Sequence, residues 1–168
     1  MSDLCLGDVL MKYLLVIDMQ EEYLGKDRNK KIYTYNEDEL IDNINRRIRE
    51  YPRDNVVYIT HKFFWELNKE PKKLVDGLLV VSDNMFEKRR ASSFTNEKLC
   101  QFLLNRNVTE LELVGIDGNY CVASSAKGGK KKEFKILYNE ACIEARNKNK
   151  FIKVKEDLIN KGIEIINK

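Results

Sequence analysis

Six short apolar runs punctuate the chain: Tyr13–Ile17, Val56–Thr60, Leu78–Val81, Leu111–Ile116, Phe134–Tyr138 and Ile163–Ile166. Most are continuous rather than alternating, the pattern of strands covered on both faces. Between them the period changes. Leu40, Ile41, Ile44 and Ile48 put one apolar stripe on a helix predicted over about residues 37–50. Leu99, Phe102 and Leu103 do the same after Thr95, a residue type suited to an N-cap. Phe151, Val154 and Leu158, with Ile152 and Ile159 alongside, predict a last helix that stops before Gly162. Strands alternating with helices imply an α/β fold, a three-layer α/β/α Rossmann-like sandwich around a central six-stranded, mainly parallel sheet. Ligands of such a sheet bind beyond the carboxyl ends of its strands. Asp18, the pair Thr60 and His61, and the segment Gly115–Cys121 follow strands and stand at that edge.

Composition narrows the classes of function. With 168 residues, 43% hydrophobic and 34% charged, the chain suits one folded domain and neither a disordered nor a membrane protein. No run approaches the ~18 apolar residues a membrane span needs. A net charge of +3 argues against nucleic acid as the main partner. Residues 1–10 lack the basic start and apolar stretch of a secretory signal and read as a short extension ahead of a domain at 11–168. A cytoplasmic location with reduced cysteines is therefore expected. Cys5, Cys100, Cys121 and Cys142 form no CxxC pair, and His61 is the one histidine, so a Cys/His zinc site is not expected. Gly128–Lys132 (GGKKK) lacks phosphate-loop spacing and reads as a solvated helix end with cations at the negative dipole.

Three residues carry candidate chemistry, each with a plainer alternative. Cys121, in GIDGNYCVASSA, lies just past a strand at the start of a predicted helix. A helix N-terminus favours thiolate, although most free cysteines are small buried hydrophobes. Cys100 and Cys142 read as packing residues on that second ground. Asp18 follows the first strand in YLLVIDMQEEYL and serves either as a catalytic acid or as a turn cap. Lys88, in FEKRRASSF, is a catalytic cation or part of an exposed basic loop. Together they are coherent: a thiol nucleophile needs a base, an acid poised by burial and a cation can be that base, and helix-start amides can hold an oxyanion.

The same segments resemble a known family, the cysteine hydrolases of the isochorismatase-like superfamily, which includes nicotinamidases and carbamoyl-group amidohydrolases. LLVIDMQEEYL is similar to the family's first-strand signature, KRRASSF to its Lys-containing stretch, and LVGIDGNYCVASSA to the block with the nucleophile. The three occur in the family's order, and the resemblance runs from about Met11 to Lys168. It implies Asp18 as base, Lys88 as its support and Cys121 as nucleophile. It implies a thioester formed with loss of an amine or ammonia and then hydrolysed. It also implies a non-prolyl cis peptide at Ile116–Asp117, with oxyanion donors from Asp117 or its neighbours and Cys121. Tyr23, His61, Phe63, Trp65, Gly118 and Asn119 are expected at the substrate pocket.

Departures from the family pattern are as informative. Nicotinamidases of this family hold a metal through an Asp and a His after the second strand and a further His downstream. Here that stretch reads ITHKFFWELNKEP, with His61 alone. No metal and no cofactor are expected, and nicotinamide becomes a less suitable substrate. Gly118, Asn119 and Ala91 also differ from the usual residues at the pocket wall. His61 serves either as a hydrogen-bonded structural residue or as a substrate contact. Phe63, Phe64 and Trp65 suit a pocket wall or an oligomer interface equally. The leading expectation is a metal-free cysteine amidohydrolase acting on a small amide or carbamoyl compound, in a chain that forms a homo-oligomer. A vinyl-ether hydrolase of the isochorismatase type and a catalytically idle binding or assembly module are the alternatives.

Overall fold

The computed structural model describes residues 10–168. The extension and Cys5 lie outside the described residues, apart from an exposed Leu10. Six strands form one sheet: β1 (Lys12–Ile17), β2 (Val56–His61), β3 (Met85–Lys88), β4 (Glu110–Ile116), β5 (Lys135–Glu144) and β6 (Glu164–Ile166). Their order is β3-β2-β1-β4-β5-β6, and every neighbouring pair is parallel. Sequential strands step outward from β1 to β3, and the chain then returns to the other side of β1. The change of direction falls between β1 and β4, where a parallel sheet opens its binding crevice.

Alternate residues of the central strands feed two cores. Leu15, Ile17, Val57, Ile59 and Leu113 face one layer, made by α3 (Glu97–Asn105), α4 (Cys121–Lys131) and α5 (Lys148–Asn160). Leu14, Val16, Val56, Tyr58 and Val114 face the other, made by the short α1 (Glu21–Leu24), by α2 (Glu37–Arg49) and by the segment around Val75 and Leu78. Burial on both faces explains the continuous apolar runs. In α2 the stripe Leu40, Ile44, Ile48 is buried. Glu37, Asp38 and Glu39 sit in its first turn, and Arg46, Arg47 and Arg49 in its last, each complementing the helix dipole. Each fully buried Leu or Ile contributes about 1.5–3 kcal/mol, so truncating Ile44 to Ala costs about 2–5 kcal/mol.

Two expectations are corrected. Leu78–Val81 is not a strand; the third strand is β3, seven residues further on. Leu78, Leu79 and Val81 do pack on the α2 side, but side chains satisfy their backbone. Asn45 Oδ1 accepts from Leu79 N at 2.7 Å, and Tyr58 Oη donates to Leu79 O at 2.8 Å and accepts from Val81 N at 3.1 Å. β3 itself is a polar edge strand, which an apolar-run criterion passes over. The N-cap of α3 is Asn96, whose Oδ1 accepts from Leu99 N at 3.1 Å, rather than Thr95. Thr95 instead closes the preceding turn by donating its hydroxyl to Ser92 O at 2.7 Å. The GGKKK segment does end α4, with Lys130 and Lys131 exposed in the last turn. No helix of the described residues is long and apolar enough to cross a membrane.

Candidate active site

The strand registers converge on one point at the carboxyl edge. Ile17 of β1 lies beside Ile59 of β2 and Gly115 of β4, and His61 of β2 beside Lys88 of β3. The residues that follow β1 and β4, together with the last residues of β2 and β3, therefore meet. Gly115 permits the closest of these approaches. It has φ +119°, and a Cβ there would lie 2.1 Å from Ile17 O, inside the β1 backbone. Asp18 takes φ 55°, a conformation Asp tolerates better than most residues, and its N–H donates to Ile59 O at 2.9 Å. Gln20, fully buried, then ties β1 to β2: its Oε1 accepts from His61 N at 2.5 Å and its Nε2 donates to His61 O at 3.0 Å.

Asp18, Lys88 and Cys121 come together. Lys88 Nζ lies 2.9 Å from Asp18 Oδ2, and the two residues are 1% and 2% exposed. The basic-loop alternative for Lys88 thus fails, because its ammonium is inside the protein. Asp18 Oδ1 is buried with no hydrogen-bond partner among the described residues. A carboxylate oxygen of Asp18, Cys121 Sγ and a ring nitrogen of His61 all lie within 4.8 Å of one another. His61 Nδ1 is 4.0 Å from the sulfur.

Electrostatics here follow from burial. Desolvation raises the Asp18 carboxyl above its ordinary value, and Lys88 pulls the other way. Burial, with the Asp18 charge behind it, pushes the Cys121 thiol up to about 12. The sulfur rests as a thiol at neutral pH, whatever the helix N-terminus offers. Burial and the Lys88 ammonium hold the His61 imidazole down at about 4, neutral at physiological pH.

The turn from β4 into α4 presents its amides unevenly. The Ile116–Asp117 peptide is cis. Gly118 N donates to Glu144 O, Asn119 N to Asp117 Oδ1, and Tyr120 N and Val122 N to Asp117 O. The N–H groups of Asp117, Cys121 and Ala123 have no acceptor among the described residues, and of these three Asp117 and Cys121 line the cavity. Asp117 is held in turn by Tyr35 Oη at 3.0 Å, by Arg146 N at 3.0 Å and by Arg146 Nε at 3.4 Å.

A cavity of about 300 Å³ opens onto the sulfur, lined by Asp18, Cys121, Ile116 and Asp117 at its base and by Tyr23, His61 and Phe63 on its walls. Three expected pocket residues lie elsewhere. Gly118 packs into the core, where a Cβ would lie 2.6 Å from Phe151 and 2.8 Å from Ile143. Asn119 turns toward α5 and donates to Asn147 O at 2.9 Å. Trp65 is mostly exposed and stacks on the outer side of Phe63, with ring centroids 4.5 Å apart. Sequence reasoning missed Tyr33, Tyr35, Tyr120 and Arg146, which complete the wall. Tyr120 and Arg146 were within reach, one immediately before Cys121 and the other just past the end of β5. Tyr33 and Tyr35 sit in a loop without periodicity and gave no signal. Cys100 and Cys142 are buried away from the site, as packing residues should be.

A family model described as the isochorismatase domain matches residues 12–166. The chain belongs to the isochorismatase family. Solved structures of this family superpose over most of their length. A nicotinamidase from Staphylococcus aureus is 20% identical, with TM-score 0.77 and coverage of 94% of this chain and 98% of that one. An N-carbamoylsarcosine amidase from Thermoplasma acidophilum is 18% identical, with TM-score 0.74 and coverage of 93% and 95%. A pyrazinamidase from Pyrococcus horikoshii, solved in complex with zinc, is 16% identical, with TM-score 0.70 and coverage of 94% and 99%. At these identities the likeness establishes the fold. A search of curated protein sequences finds no match. The family and these neighbours are hydrolases, amidases among them.

Proposed function

We propose that this isochorismatase-family chain is a cysteine amidohydrolase that cleaves a C–N bond of a small amide or carbamoyl compound. The observation that carries the reading is the buried Lys88–Asp18 pair, 2.9 Å apart, set against the Cys121 thiol with one carboxylate oxygen unpartnered. A fold has no need of an orphaned buried carboxylate oxygen, which costs stability; a proton acceptor does. Asp18 takes the thiol proton as sulfur attacks the carbonyl carbon. The N–H groups of Asp117 and Cys121 receive the developing oxyanion. Lys88 holds the carboxylate and offsets the negative charge. The proton passes from Asp18 to the leaving nitrogen as the C–N bond breaks, leaving a thioester, which water hydrolyses.

A resident metal does not fit these residues. The one described cluster that offers three ligand atoms is Asp18, His61 and Cys121, the proposed base and nucleophile themselves. A divalent cation there would also stand against the buried Lys88 ammonium. The cavity volume of about 300 Å³ and its ring of tyrosines suit a small planar compound.

The test is ammonia release from a panel of small carboxamides and carbamoyl compounds, read for wild type and Cys121→Ala. Turnover that vanishes in the variant supports the reading. Turnover of a vinyl ether that survives Cys121→Ala would replace it with the isochorismatase-type reaction. Tight binding of a compound without turnover would replace it with a binding module.

A further inference from the structure

Two proton acceptors, not one, flank the nucleophile. Asp18 approaches Cys121 from the end of β1 and is tied to Lys88. His61 approaches from the end of β2, with Nδ1 4.0 Å from the sulfur and its ring on the cavity wall. The two acceptors differ in what holds them. Both line the cavity, at 2% and 9% exposure. Asp18 is bound to the Lys88 ammonium through one oxygen, whereas the His61 ring stands on the wall against Phe63. Its placement is fixed from three sides: Gln20 clamps both of its backbone groups, Phe63 packs on the ring at 4.6 Å, and the Arg89 backbone hydrogen-bonds the ring. Nδ1 is the ring nitrogen turned toward the sulfur, 4.0 Å away, and in the tautomer protonated on the other nitrogen it is a proton acceptor at the reacting centre.

Resting on the cysteine-hydrolase reading above, we infer that the two acceptors divide the reaction: Asp18 serves formation of the thioester, and His61 serves its hydrolysis. Once Cys121 carries the acyl group, the hydrolytic water must come from the open side, where His61 Nδ1 is the available acceptor. The water oxygen bonds to the acyl carbon as its proton moves to Nδ1. The C–S bond then breaks, the carboxylic acid leaves, and the proton returns from Nδ1 to the sulfur. The imidazole is neutral at physiological pH, as this role needs, because burial and Lys88 disfavour its charged form.

p-Nitrophenyl acetate is a suitable probe, since it is small, planar and separates the two steps. Acylation releases p-nitrophenol in a burst, and acetyl-Cys121 hydrolysis sets the steady rate. In His61→Gln the burst should keep its rate within about threefold. The steady rate should fall at least about a hundredfold, the low side of what a general base contributes. Acetyl-Cys121 should then accumulate, visible by intact mass. Asp18→Asn should show the opposite, a lost burst. His61→Ala repeats the measurement in case Gln substitutes for the imidazole, and thermal melts check that both variants are folded. A steady rate unchanged in both His61 variants overturns the inference, as does an equal loss in the two steps. A wild type in which Cys121 is never acylated overturns the cysteine-hydrolase reading and the inference with it.

Discussion

Two buried carboxylates on this sheet meet opposite fates. Glu112, in the middle of β4, is 0% exposed and fully hydrogen-bonded. Oε1 accepts from Arg47 Nε at 2.6 Å and Asn139 Nδ2 at 2.8 Å, and Oε2 from Arg47 Nη2 at 2.7 Å and Tyr51 Oη at 2.5 Å. Asp18, at the end of β1, has Lys88 on one oxygen, while the other has no hydrogen-bond partner among the described residues apart from the neighbouring Cys121 thiol. Burial alone would raise both carboxyls. At Glu112 the four donors outweigh it and hold the group below its ordinary value. At Asp18 burial wins. A satisfied carboxylate is a permanent anion and a structural strut. An unsatisfied one suits the proton acceptor proposed above. Burial and charge are shared by the two sites, and completeness of hydrogen bonding is what separates them.

The largest test of that contrast is Cys121→Ala, which removes the group Asp18 is proposed to serve. Hydrolysis should fall by at least about a thousandfold, with the melting temperature within a few degrees of wild type, because the sulfur is not part of either strut. Retained hydrolysis would mean that the orphaned oxygen serves some other nucleophile. Glu112→Gln should do the reverse. It leaves Arg47 buried against a neutral partner and should cost about 3–5 kcal/mol, roughly 10 °C in a domain of this size. The folded protein should keep its turnover number. An activity loss without a stability loss would erase the distinction between the two carboxylates.

The pH dependence of stability should sharpen the contrast, because the two carboxyls shift in opposite directions. Glu112 is held below its ordinary 4.5, so its contribution is present above that pH and is lost as the pH falls. The gap in stability between wild type and Glu112→Gln should therefore close on acidification. Asp18 is raised above its ordinary 3.8, so its contribution is present below that pH and is lost as the pH rises. Relative to Asp18→Asn, wild type should lose stability as the pH climbs toward neutral. Melting curves from pH 3 to 7 read both, and slopes of the same sign would refute the assignment. The resting thiol gives a third signature. With Cys121 pushed up to about 12, alkylation by iodoacetamide should be slow at pH 7 and should climb steadily through pH 9. A plateau near neutrality would reveal a resting thiolate instead. The smallest effect is expected at Gly118→Ala, where overpacking against Phe151 and Ile143 should cost about 1–3 kcal/mol with substrate KM unchanged. A large KM change would return Gly118 to the pocket.

Much of the frame was legible because buried parallel strands write continuous apolar runs. Five of the six runs became strands of the sheet, and the stripe at Leu40, Ile44 and Ile48 became α2. β3 escaped because an edge strand reading Met-Phe-Glu-Lys needs no apolar run, and its last residue is Lys88 itself. The three candidate site residues were legible through their motifs, and their place at strand ends follows from the topology of a parallel sheet. The pocket wall was legible only in part. Tyr33 and Tyr35 come from a loop, while Gly118 and Asn119, close to Cys121 in sequence, turn into the protein.

The sequence by itself determined the α/β architecture and the family and singled out Asp18, Lys88 and Cys121 as candidates, because local periodicity and short motifs are properties of neighbouring residues. Tertiary structure alone decided that Lys88 is buried against Asp18, that one carboxylate oxygen lacks a partner, that the thiol rests protonated and that His61 reaches the sulfur. Those features depend on burial and on distances between β1, β2, β3 and α4. Desolvation and hydrogen bonding act through space, and spacing along the chain does not record them.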